Sequence, residues 1–115
     1  MEKVLIRIPS KPQYLQVLRL TTASLANRMG FDIDDVEDLK VLISEVVTYV
    51  LPINDELEIV FEMEEEKITI KVFANQVGYS DGELEQEMKM KQQILSSLAD
   101  DIVFEDKCVS IIMNR

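Results

Sequence analysis

The chain has 115 residues, 22 of them acidic and 12 basic, for a formal net charge of −10, a length expected to build one domain, residues 1–115, around one core. A single cysteine, Cys108, and the lack of histidine exclude disulfide frameworks, Cys/His zinc sites and histidine general bases. The acidic excess argues against a nucleic-acid partner, and no apolar run reaches the roughly 20 residues that span a bilayer, so a cytoplasmic protein is expected.

Residues 3–8 alternate Val4, Ile6 and Ile8 against Lys3, Leu5 and Arg7 before Pro9, the pattern of a half-buried first strand. Ser10 suits a helix cap and Pro12 a first helical turn. Leu15, Leu18, Thr22, Leu25, Ala26 and Met29 then form a helical stripe that closes at Gly30. Val17 and Leu20 lie off that stripe beside Gln16, Ser24 and Asn27, which gives the first helix a mixed outer face suited to a protein contact. Residues 1–30 carry Lys3, Arg7, Lys11, Arg19 and Arg28 against Glu2 alone, so this quarter is a basic island in an acidic chain.

The spacing predicts a second helix over 34–51, with Val36, Leu39, Ile43, Val46, Val47 and Val50 on one stripe. Asp34 and Asp35 fit its start, and Pro52 its end. Glu45 and Tyr49, four residues apart, are expected to be neighbours on a side turned away from the core.

Residues 56–63 set Leu57, Ile59, Phe61 and Met63 against glutamates, and Ile68, Ile70, Val72 and Ala74 continue the alternation beyond a Glu64–Lys67 turn, which reads as a hairpin. A loop over 75–82, a helix over about 83–99 with Leu84, Met88, Ile94, Leu95 and Leu98 inward, and a closing hairpin of 102–104 and 108–113 complete the chain. The order β, α, α, β, β, α, β, β predicts an α/β (α+β) two-layer sandwich, a mostly antiparallel sheet with three helices on one face. Alternation then sends Leu5, Val60, Phe73 and Ile112 to the uncovered face, where they are expected to join two chains as a homodimer.

The run over 8–51, from Ile8-Pro9-Ser10 through the Met29-Gly30 turn to Glu45 and Leu51, resembles the bacterial anti-sigma factor serine kinases, small members of the GHKL (Bergerat-fold) ATPase superfamily. The resemblance implies a histidine-kinase-like ATPase fold and a nucleotide box Glu-x-x-x-Asn, whose glutamate activates the attacking group and whose asparagine binds Mg²⁺. Here the box keeps Glu45 and places Tyr49 in the metal position. A phenol, protonated below roughly pH 10, is a poor Mg²⁺ ligand. The family's Asp-x-Gly adenine box corresponds to Asn75-Gln76-Val77-Gly78, with an amide for the carboxylate and the glycine displaced by one. The second glycine box falls on Lys89-Met90-Lys91, without a glycine, and only residues 80–89 stand in the place of the phosphate-covering lid, so the lid is expected to be missing.

These departures predict a non-catalytic member that binds proteins and no metal or nucleotide cofactor. Two other readings stay open: an active kinase with Glu45 as base and Mg-ATP as substrate, and a small-ligand sensor using the vacated pocket. Lys89 and Lys91 are candidate phosphate contacts, although a solvated helix face is the simpler expectation. The resemblance implies a sigma factor or an anti-anti-sigma protein as partner, docking on Gln16, Arg19 and Leu20 of the first helix.

Overall fold

A computed structural model describes residues 1–77 and 82–115, and the side chains of 82–85, 87 and 88 are not among those described. Five strands, β1 (Glu2–Pro9), β2 (Glu56–Glu64), β3 (Lys67–Phe73), β4 (Asp101–Phe104) and β5 (Cys108–Asn114), form one sheet in the order β1-β2-β3-β5-β4. Every neighbouring pair is antiparallel. The helices are α1 (Leu15–Met29), α2 (Ile33–Val50) and α3 (Gly82–Leu95), with short 3-10 turns at Pro12–Tyr14 and Leu51–Ile53.

The alternation read from sequence sets the register. Ile6, Ile59, Val72, Val109 and Phe104 line up across all five strands, and Val4, Phe61, Ile70, Ile111 and Ile102 make the next row. These rows face Leu18 and Ala26 of α1 and Leu39, Ile43, Val46 and Val50 of α2, and together they form one core cluster. Complete burial of one such aliphatic or aromatic side chain stabilises by about 1.5–3 kcal/mol. Leu42 is equally buried and belongs to the same stripe of α2. Thr22 lies fully buried in α1 because its hydroxyl donates to the Leu18 carbonyl at 2.7 Å, which removes the penalty of an unpaired polar group.

Several local expectations change. Asp32, not Asp34 or Asp35, caps α2: its carboxylate accepts from the Asp35 amide at 2.8 Å, while the two later aspartates sit in the first turn. Ser10 caps no helix, because its hydroxyl donates to the Leu51 carbonyl at 2.9 Å and ties the entry of α1 to the exit of α2. The third helix ends at Leu95 rather than near residue 99. Of its expected inward residues, Leu95 is buried and Leu98 half-buried, whereas Ile94 is 65% exposed. Leu84 and Met88 lie outside the described side chains.

Gly30 closes α1 at φ 87°, the left-handed conformation that a side chain resists. Arg115, from the far end of β5, lies over this turn and donates to the Met29 carbonyl at 3.0 Å. Its backbone amide meets the Glu66 carbonyl at 2.7 Å, so β5, the β2–β3 turn and the end of α1 are held together.

The uncovered face of the sheet carries Leu5, Val60, Phe73 and Ile112 as alternation requires, and Val103 with them. Its cations Lys3, Arg7, Lys67 and Lys71 each meet a glutamate of the same face: Glu62 pairs with both Lys3 and Lys71, Glu56 and Glu58 with Arg7, and Glu64 with Lys67. The hydrogen bond from Lys71 holds the Glu62 carboxyl below the ordinary carboxylate range. Cys108 sits on this face beside Ser110, and burial pushes its thiol up, away from the reactive thiolate. Among the described residues no helix is long and apolar enough to cross a membrane.

Candidate functional site

The fold carries Glu45 and Tyr49 on successive turns of α2, but their surroundings differ. The Glu45 side chain is 41% exposed and its Oε2 lies 3.3 Å from Lys91 Nζ of α3. Tyr49 is half-buried like Glu45 and packs in part against the core cluster. It flanks the apolar stripe, three residues beyond Val46 and one before Val50, and its long ring reaches from that flank to apolar neighbours. The carboxylate at the expected base position thus meets an ammonium, and the residue at the expected metal position is a half-buried tyrosine packed against the core.

Asn75 is exposed and lines a hollow of about 330 Å³ with Arg7, Glu58, Phe73 and Lys107, residues of the uncovered sheet side. The segment that carries it is fixed by a residue the sequence reading took as part of a plain turn. Asn54 donates through Nδ2 to the Val50 carbonyl at 2.8 Å and to the Gln76 carbonyl at 2.7 Å. Its Oδ1 accepts from the Gln76 amide at 3.0 Å. Two further backbone bonds, from Ala74 to the Lys107 carbonyl and from Val77 to the Asp106 carbonyl, hold the same stretch against the closing hairpin. An asparagine just after a proline turn was the available signal, since such side chains commonly bond neighbouring backbone. Gly78 falls outside the described residues. Of the stretch 80–89, in the place of a lid, residues from Gly82 onward are α-helix.

The outer side of α1 forms a second surface. Gln16 is exposed, as are Val17 at 45% and Leu20 at 59%. Arg19 is half-buried on the flank, and its Nε is covered without a hydrogen-bond partner. The helix contains no acidic residue, and Lys11, Arg19 and Arg28 join no ion pair among the described residues. A helix with free cations and exposed apolar side chains can take a partner that is apolar in its centre and acidic at its edge.

No family model matches the chain. Serine-protein kinase RsbW of Bacillus cereus is 31% identical over 135 residues, covering 99% of this chain and 84% of the relative. The protein of the same name from Bacillus mycoides matches to the same extent. An alignment of 135 positions against a chain of 115 residues leaves at least 20 positions of the relative with no counterpart here. The solved structure of the RsbU and RsbW domains of a Mycobacterium tuberculosis protein superposes with a TM-score of 0.74 at 9% identity, covering 99% of this chain and 32% of that one. The two share a fold, that of the histidine-kinase-like ATPases.

Proposed function

Because the chain belongs to the RsbW family of serine-protein kinases, we propose that it is an anti-sigma-type regulator that works by binding a protein and has given up its nucleotide. The observation that carries this reading is Tyr49, whose ring packs against the core where the family pattern places a metal-binding asparagine. Mg²⁺ wants small hard oxygens in an octahedron, and a phenol that stays protonated below roughly pH 10 is a poor one. We read the deficit of at least 20 positions against the relatives as a shortened lid, since lid segments are surface insertions that can be deleted without disturbing a core. The donors at the expected Mg-ATP site therefore do not fit that group, and no catalytic step is assigned to Glu45.

The partner in this reading is a sigma factor or an anti-anti-sigma protein, held by Gln16, Leu20 and the unpaired guanidinium of Arg19 on α1. A covered guanidinium nitrogen without an acceptor is costly alone, and a partner carboxylate would relieve it. The chain acts as a homodimer joined through the open sheet face. Two bodies of charge −10 repel, but this face carries four cations against Glu56, Glu58, Glu62, Glu64 and Asp101, so it is nearly neutral and has Leu5, Val60 and Phe73 between the charges.

Immobilised chain is exposed to the sigma factors and anti-anti-sigma proteins of its own cell, and what is retained is identified by mass spectrometry. One such protein is expected to be retained by the unaltered chain, with affinity falling roughly 30-fold or more in Arg19→Glu combined with Leu20→Asp, the loss typical of a central arginine anchor. Retention that the double variant leaves unchanged places the surface elsewhere.

A further inference from the structure

The hold on α3 is uneven along its length. Among the described side chains Leu95 is buried to 4% exposure at its last residue and Leu98 is half-buried just beyond, while Met90 and Ile94 stand 68% and 65% exposed. Lys91 lies one turn before Leu95, on the side of the helix that faces α2, and its ammonium meets Glu45 at 3.3 Å across 46 residues of sequence. The Lys91–Glu45 bridge meets α2 in its C-terminal half.

We propose that Lys91 is a positioning residue, a cation that occupies the Glu45 carboxylate and ties α3 to α2 without any ligand. This rests on the reading above that Lys89, Met90 and Lys91 replace the second glycine box. A glycine box leaves backbone amides open to phosphate, whereas Lys91 spends its charge on Glu45. A phosphate-bearing ligand then has to break the bridge before it meets either group, and a Mg²⁺ ion finds the carboxylate already neutralised. Both partners are about half exposed, so the bridge is a weak tie in a weakly held helix, and its effect is local.

Hydrogen exchange followed by mass spectrometry on the full chain reads this tie directly. Lys91→Met and Glu45→Gln are each expected to speed exchange in residues 82–95 by about two- to five-fold, the double variant no more than either single one. The charge swap Glu45→Lys with Lys91→Glu is expected to return the rate to that of the unaltered chain. Exchange in β2 and β3, read in the same spectra, reports that each variant is folded. Helix exchange unmoved by the single variants, or additive in the double, overturns the proposal. Calorimetry with Mg-ADP on the unaltered chain judges the nucleotide-free reading separately. Binding with the coupling intact removes that reading and leaves the tie, and coupling absent without binding does the reverse.

Discussion

Replacing Gly30 by alanine probes the turn that joins α1 to α2 and the C-terminal residue that covers it. At φ 87° and ψ 19° a Cβ atom costs about 1–2 kcal/mol of backbone strain. The same Cβ would stand 2.8 Å from Arg115 Nη1, so the guanidinium must move off the Met29 carbonyl. A cation on the last carbonyls of a helix contributes a further few tenths to about 1 kcal/mol. The expected total is about 2 kcal/mol, a fall in Tm of roughly 6–12 °C for a domain of this size. Thermal and urea unfolding of Gly30→Ala, Arg115→Ala and the double variant separate the two parts. In the Arg115→Ala background, Gly30→Ala should cost only the strain, so the two changes are less than additive. A Gly30→Ala protein within about 0.5 kcal/mol of the unaltered chain, or full additivity, refutes this account of the turn.

Asp32→Ala should remove the cap of α2 and cost about 0.5–2 kcal/mol in urea unfolding, with Asp34→Ala costing much less because that side chain accepts no capping bond. Acid unfolding should depend on Glu62. Its carboxyl is held down chiefly by the Lys71 hydrogen bond, so its stabilisation is present above the ordinary carboxylate range and lost as pH falls through and below it, and Glu62→Gln should flatten that limb. Asp35 has the opposite sign: burial first, then Asp32, Asp38 and Asp100, raise its proton affinity, so acidification relieves a cost and Asp35→Asn should steepen the loss. Light scattering coupled to size exclusion should give the mass of two chains, falling to one in Val60→Lys combined with Phe73→Lys, and a monomeric unaltered chain removes the sheet-face dimer.

What local pattern could specify was legible. Strand alternation placed Val4, Phe61, Ile70 and Val72 on the covered face, and the period of 3.6 placed Leu39, Ile43 and Val50 inward, because each depends only on near neighbours. The three aspartates of Phe31-Asp32-Ile33-Asp34-Asp35 are equally good caps by composition, and only backbone geometry selects Asp32. Ile94 was read inward as a regular apolar residue, yet it stands 65% exposed, because a period alone does not say which side of a helix is covered. Tyr49 sits on the flank of the stripe, where side-chain length rather than periodicity decides burial. The Lys91–Glu45 and Asn54–Gln76 contacts join residues 46 and 22 positions apart, and no local pattern carries them.

Titration calorimetry of the unaltered chain with Mg-ATP and Mg-ADP tests the central claim most directly. Tyr49 in the metal position and Lys91 on Glu45 predict no saturable heat up to millimolar nucleotide. A one-site isotherm with a dissociation constant in the micromolar range, about −8 kcal/mol of binding free energy, would contradict it.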